Sequence, residues 1–193
     1  MFESEDSRLI AQAKGGNLDA FARLYDKYKG QVYRTALAIT RNRDAAEDIL
    51  QDCFLRVHAH IGKLNGEKTI APWLYRVTVN LCYNWLARGR RQVTFLDEII
   101  GQLIGSRTPS LQRMAETWEL RGVILRAIDD LSFDHRVVVL LYYLNDFSLD
   151  EIAYILECPV GTIKSRLFYA REKLKRRLTA DEVALGGLLY DTQ

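Results

Sequence analysis

Apolar positions recur every three to four residues along most of this chain, which is the period of an amphipathic helix. The pattern opens at about Ser7 to Lys14, pauses at Gly15-Gly16-Asn17, and resumes from Asp19 to about Thr40. There Phe21, Leu24, Tyr25, Tyr28, Val32 and Ala36 make a broad apolar face. A further helix is predicted from about Asp44 to Ile61, with Ala45, Ile49, Leu50 and Phe54 turned inward. The stretch from Gly62 to Ala71 has two glycines and no sustained period, so it reads as a loop. Pro72 then opens a helix through Trp85 or Arg88, because the first helical position needs no N–H.

Between about Arg91 and Ala115 the period weakens, interrupted by Gly101, Gly105, Ser106, Thr108, Pro109 and Ser110. This predicts a linker, with a short helix at Leu96 to Leu103. Four helices follow, near Glu116 to Asp130, Asp134 to Leu144, Leu149 to Leu156 and Pro159 to Leu178. After Thr179 the sequence ADEVALGGLLYDTQ predicts a short, partly ordered tail. No internal repeat is visible. The fold class is therefore all-α: two small helical domains joined by a flexible linker, at 1–91 and 116–178, with the linker at 92–115 and the tail at 179–193.

The last two helices are the most telling. Ser148 can accept from the Glu151 backbone N–H while the Glu151 side chain reaches back, a capping box that starts the first of them. Leu149, Ile152, Ala153 and Leu156 give it one apolar face. Pro159 restarts the chain about three residues later, which is the layout of a helix-turn-helix. In the second helix Val160, Ile163, Leu167, Ala170 and Leu174 share one side. Thr162, Ser165, Arg166, Tyr169, Lys173 and Arg176 line the other. Lys164 to Arg177 holds seven Lys or Arg and one Glu, a local net of +6 against +2 for the whole chain. Phosphates are the natural partner of such a helix, and side chains near its start can reach base edges in a major groove.

Composition narrows the class further. At 193 residues with 48% hydrophobic residues the chain can bury real cores. No apolar run approaches the ~18 residues of a membrane span, and MFESEDSRL lacks a signal-peptide layout, so a cytoplasmic protein without membrane insertion is expected. Cys53, Cys82 and Cys158 form no Cys-x-x-Cys pair, so no disulfide framework, metal site or cofactor is expected. Charge is segregated along the chain: acidic at Asp44 to Asp52, basic at Arg88 to Arg91, and basic again after Lys164. Separate surfaces with separate partners follow from that.

Two more surfaces stand out. On the helix after Pro72, Arg76, Asn80 and Asn84 repeat at i, i+4, i+8 with Tyr83 alongside, next to a stripe of Trp73, Val77, Leu81 and Trp85. Aromatic faces, amides and an arginine together can hold an unstacked base. A mid-helix Asn80 has poor propensity and asks for a polar partner. Arg88, Arg90 and Arg91 extend the charge. On the preceding helix Asp44, Asp48 and Asp52 recur with Glu47 and Gln51 beside them, a face whose partner should be a basic protein surface.

In that order these motifs resemble a bacterial extracytoplasmic function (ECF, group 4) sigma factor of the sigma-70 family. The resemblance covers about Leu9 to Leu178 and rests on DAAEDILQDCFLRV, PWLYRVTVNLCYNWL, RGRR and FSLDEIAYILECPVGTIKSRLFYAREKL. It implies region 2 and region 4 domains, and a specificity subunit of RNA polymerase rather than an enzyme. It assigns Asp48, Gln51, Asp52 and Phe54 to the clamp helices of the beta-prime subunit, with Asp44 and Glu47 on the same face. Leu64, Val77 and Asn80, with Trp73, Arg76 and Asn84 nearby, would open the minus-10 element. Lys164, Ser165, Phe168 and Tyr169 would read the minus-35 element, with Thr162 on that face and Arg166 and Arg171 near phosphates. Core polymerase, through the clamp helices and the beta flap, promoter DNA and a cognate anti-sigma factor are the implied partners. Two positions depart from the family pattern. Tyr169 stands where several relatives carry a base-reading arginine, and Leu131-Ser132-Phe133-Asp134 lacks the proline that often opens region 4.

Rival readings are weaker. A conventional transcriptional regulator, its helix-turn-helix on an operator and its N-terminal helices a sensor or dimerisation domain, leaves Arg76, Asn80 and RGRR without a role. A metal enzyme around Cys53, His58 and His60 fails on geometry, since the two histidines lie about 200° apart on one helix. His135, near a helix start, is expected in local or core contacts.

Overall fold

The computed structural model describes residues 4–64, 69–88, 123–124 and 126–190. Among them all regular structure is helical. The expected linker, its short helix at Leu96 to Leu103, Arg90 and Arg91, and most of the helix expected at Glu116 to Asp130 lie outside the described residues. The chain divides into two compact units, residues 1–94 with 150–157, and residues 95–149 with 158–193.

The first unit begins with α1 (Glu5–Lys14), α2 (Leu18–Thr40) and α3 (Arg43–His60). Each starts behind a polar cap. Ser4 Oγ accepts from Ser7 N, Asn17 Oδ1 from Ala20 N, and Asn42 Oδ1 from Ala45 N at 2.8 Å. Each cap satisfies an N–H that has no partner inside the helix. Arg41, at φ 55°, ends α2 by donating its N–H to the Leu37 carbonyl. The chain thereby reverses in two residues, and α3 packs against α2. A 3-10 turn (Ile61–Lys63) follows, and then α4 (Ala71–Ala87) with Pro72 in its first turn.

The core of this unit is drawn from one face of each helix. Leu9 and Ile10 of α1 join Leu24, Val32, Ala36 and Ile39 of α2, Ala46, Ile49, Cys53 and Val57 of α3, and Leu74, Tyr75, Val79 and Cys82 of α4. Small residues let α3 and α4 approach: the Cys53 thiol lies 3.4 Å from Thr78 Oγ1 and 3.7 Å from the Leu74 carbonyl. The start of α1 differs from the expected Ser7. Asp6 and Ser7 are polar yet buried, so they break the apolar stripe that the sequence period follows.

In the second unit residues 126–129 form a helical turn and α5 (Phe133–Tyr143) buries Val137 through Leu141. Ser132 takes the cap position before α5 in an extended conformation, without a side-chain cap bond. Next in sequence α6 (Leu149–Leu156) belongs to the first unit, with Ile152 and Ile155 buried. Asp146 at φ 54° and Glu157 at φ 51° bracket it in left-handed conformations that sharpen both turns. Pro159 then offers its carbonyl to the N–H groups of Thr162 and Ile163 and starts α7 (Val160–Tyr190). The last helix runs on through the residues expected as a tail. It continues to Tyr190 past Gly186-Gly187, each of which costs about 1 kcal/mol relative to alanine.

Candidate nucleic-acid and protein interfaces

The outward face of α4 is polar. Asn80, Tyr83, Asn84 and Arg88 are exposed, and Trp73, Arg76 and Val77 are half-buried on the same side. Leu74, Tyr75, Thr78, Val79, Leu81 and Cys82 turn inward. The Thr78 hydroxyl donates back to the Leu74 carbonyl at 2.9 Å, so it needs nothing from outside. Trp85 is half-buried among these inward positions by helical phase. Trp73 instead lies on the outward side with its ring 6.2 Å from that of His60. The described residues thus place six of the expected minus-10 side chains, Trp73, Arg76, Val77, Asn80, Asn84 and Arg88, on one side of α4. Leu64, by contrast, is buried just ahead, and its carbonyl accepts from Lys14 Nζ at 2.6 Å.

What positions α4 is a carboxylate that the sequence did not single out. Asp6 is 2% exposed. Its oxygens accept from Lys27 Nζ at 2.7 Å, Thr69 Oγ1 at 2.6 Å, the Ile70 backbone N–H at 3.1 Å and the Tyr28 hydroxyl. Burial pushes this carboxyl up, and hydrogen bonds from Lys27, Thr69, Tyr28 and Ile70 outweigh it and hold it below the ordinary aspartate range. The Tyr28 hydroxyl, buried and bonded to the same carboxylate, is pushed up to about 12. One ionised oxygen pair therefore joins α1, α2 and the entry to α4.

On α3 the side chains of the acidic face stand together at the surface: Asp44, Glu47, Asp48, Gln51 and Asp52 are exposed. Phe54 is not on it. It is 5% exposed, with its ring edge-on to Tyr25 at 4.8 Å and to Phe21 at 6.5 Å. The apolar residue presented there is Leu55, 67% exposed, one turn beyond Gln51 and two beyond Asp48. The expected set missed it, although its spacing was readable. His58 packs edge-on against Phe21 and His60 bonds the Arg56 carbonyl. No group of three or more His, Cys, Asp or Glu among the described residues is arranged to hold a metal.

On α7 Ile163, Leu167 and Ala170 are buried, and Lys164, Ser165, Phe168, Tyr169, Lys175 and Arg176 are exposed. Thr162 is half-buried beside them. Arg166 and Arg171, expected near phosphates, each engage α5. Arg166 pairs with Asp134 at 2.7 Å, and Arg171 Nε donates to the Tyr143 hydroxyl at 2.7 Å with its guanidinium over the Tyr142 and Tyr143 rings. Both side chains brace α7 against its neighbour.

Comparison with known proteins agrees with this layout. The Sigma-70 region 2 family matches residues 24–92, and Sigma-70, region 4 matches residues 121–174. The chain is 32% identical over 152 residues to the ECF RNA polymerase sigma factor SigM of Bacillus subtilis strain 168, covering 79% of this chain and 91% of that one. With SigW of the same organism the figures are 33% over 178 residues, 88% and 94%. Among solved structures, the sigma factor RpoE of Bartonella quintana, determined in complex with the anti-sigma factor NepR, shares the fold. It has a TM-score of 0.65 at 24% identity, over 83% of this chain and 98% of that one. With acidic α3, amide-bearing α4 and basic α7 in this order, the chain belongs to the extracytoplasmic function sigma factors of the sigma-70 family.

Proposed function

We propose a division of labour among three surfaces of this sigma factor, which binds core RNA polymerase and directs it to promoters without being an enzyme itself. The acidic face of α3, Asp44, Glu47, Asp48, Gln51 and Asp52, docks on the basic clamp helices of the beta-prime subunit. The outward face of α4, Arg76, Val77, Asn80 and Asn84 with Trp73 and Arg88, captures a base of the minus-10 element. The exposed side of α7, Thr162, Lys164, Ser165, Phe168 and Tyr169, reads the minus-35 element. Residues 1–91 act as region 2 and 116–178 as region 4, and the protein fits group 4 of the family, working in the cytoplasm where the polymerase is.

Asn80 carries the reading of α4. Its amide is exposed in mid-helix and, among the described residues, without a partner. It offers two donors and an acceptor to the edge of an extruded base. Flipping a base costs a few kcal/mol of unstacking, and contacts to the flipped base offset that cost only for the right sequence. Strand opening thereby becomes sequence-dependent with no covalent chemistry. A cognate anti-sigma factor is part of the same proposal, since the acidic α3 face that would dock on the polymerase can equally be covered by a basic chain.

Run-off transcription with core enzyme and a cognate promoter tests the proposal. Transcripts should depend on the added protein, and transcription indifferent to it would refute the reading.

A further inference from the structure

Two large aromatic rings stand in solvent on the outer face of α7. Phe168 is 59% exposed and Tyr169 is 61% exposed, and their rings meet edge-to-face with centroids 5.4 Å apart. They follow Ser165 by one helical turn, so they occupy the part of the helix that enters deepest if its start lies in a major groove. Exposed Lys164, Lys175 and Arg176 flank them along the same helix. A helix that presents a fused apolar surface between cations is poorly suited to an acidic protein partner, which would leave both rings against charge. It suits a nucleic-acid groove, where phosphates line the rims and one apolar group lies on the floor. That group is the thymine C5-methyl, the apolar feature by which the major groove distinguishes a base pair.

We infer that Phe168 and Tyr169 form an apolar clamp that reads thymine methyl groups in the upstream promoter element. The proposal rests on α7 being the recognition helix and adds the chemistry of its readout. Neither ring has the paired donors needed for bidentate recognition of guanine. The edge-to-face pair fixes both side chains against each other, so the apolar surface is formed before binding and little rotamer freedom is lost on docking. Because such a contact does not use the Tyr169 hydroxyl, Tyr169→Phe should keep the sensitivity to the thymine methyl.

The test uses holoenzyme assembled from the full chain and core polymerase, with duplexes carrying a randomised upstream block. After enrichment, each thymine of the selected element is replaced in turn by deoxyuridine, which removes the methyl and nothing else. One or two replacements should each weaken binding about fourfold, the size of one buried methyl group. That sensitivity should survive in Tyr169→Phe and vanish in Phe168→Ala/Tyr169→Ala. Tyr169→Arg should shift one selected position toward guanine. Selection of a defined element whose binding ignores deoxyuridine at every thymine overturns the clamp while leaving α7 as the reader. Failure of the randomised block to enrich at all, with transcription still dependent on the protein, removes the recognition role of α7 itself.

Discussion

Asp6→Asn is expected to destabilise the first unit by about 3 kcal/mol, because the carboxylate is buried and serves four donors at once. Asn keeps one uncharged acceptor oxygen: placed toward Tyr28, Thr69 and the Ile70 N–H, which share one carboxylate oxygen, it turns its NH2 group on Lys27, which bonds the other. A hydrogen bond to an ionised group contributes about 1.5–3 kcal/mol. Lys27 is 38% exposed and also pairs with Glu5 at 3.0 Å, so its share is screened and falls below about 1 kcal/mol. Most of the loss comes from Thr69, Tyr28 and the Ile70 N–H, which exchange a charged acceptor for a neutral one at about 1 kcal/mol each. The assay is urea unfolding of the full chain followed by fluorescence of Trp73 and Trp85, with Trp118→Phe as background. With m of about 1–3 kcal/mol/M the midpoint should fall by roughly 1–3 M. The pH dependence gives a second readout. A carboxyl held below its ordinary range stabilises the fold fully above the unfolded value. That stabilisation is lost as pH falls through the folded one. The advantage of the parent over Asp6→Asn should therefore be constant near neutrality and shrink in acid. A difference under about 0.5 kcal/mol at pH 7, the scatter of ordinary surface substitutions, would refute the clamp.

The remaining expectations concern the surfaces and the thiols. Asn80→Ala should slow promoter opening, read by permanganate reactivity of unpaired thymines, far more than it weakens initial duplex binding; equal effects would argue against base capture by α4. Asp48→Lys should weaken association with core polymerase tenfold or more in a fluorescence titration, about 1.4 kcal/mol or more, with circular dichroism unchanged. Lys164→Ala should weaken upstream-element binding across sequences and reduce the slope of log K against log salt by about 1. In native protein at pH 7.5 a maleimide should label Cys158 alone among the three cysteines. Burial pushes the Cys53 thiol up to about 11 and the Cys82 thiol higher still, so both should react only after unfolding.

The legible part of the fold was the part written locally. For α6 the expected bounds match the observed Leu149–Leu156, because a serine before it and a proline after it punctuate the chain. The start of α1 was displaced by two residues, because Asp6 and Ser7 are buried for their hydrogen bonds and not for apolar surface. Nothing local announces the Asp6 clamp, whose partners lie 21 to 64 residues away. The exchange of Phe54 for Leu55 shows a different limit. Helical phase turned Phe54 inward, the resemblance turned it outward, and the packing of its ring on Phe21 and Tyr25 agrees with the phase. In α7 the stripe of buried residues was legible, yet the engagement of Arg166 and Arg171 by α5 was not. That depends on where Asp134 and Tyr143 stand in space.

The stretch matched by region 2 starts at residue 24, and α1 lies wholly before it. The geometry nonetheless gives α1 a hold on the surface proposed to capture a base. Lys14 donates to the carbonyl of Leu64, and Asp6 accepts from Thr69 and Ile70. These bonds hold Leu64 and the Thr69–Ile70 entry to α4 on one helix. Phe21 and Leu24 alone could pack α2 on the rest of the unit without setting where Thr69 sits. Asp6 sets that position directly, with a charge that burial would expel were its four donors not there. The orientation of Asn80 three turns further along α4 therefore depends on a carboxylate near the start of the chain, and the functional unit is larger than the matched one.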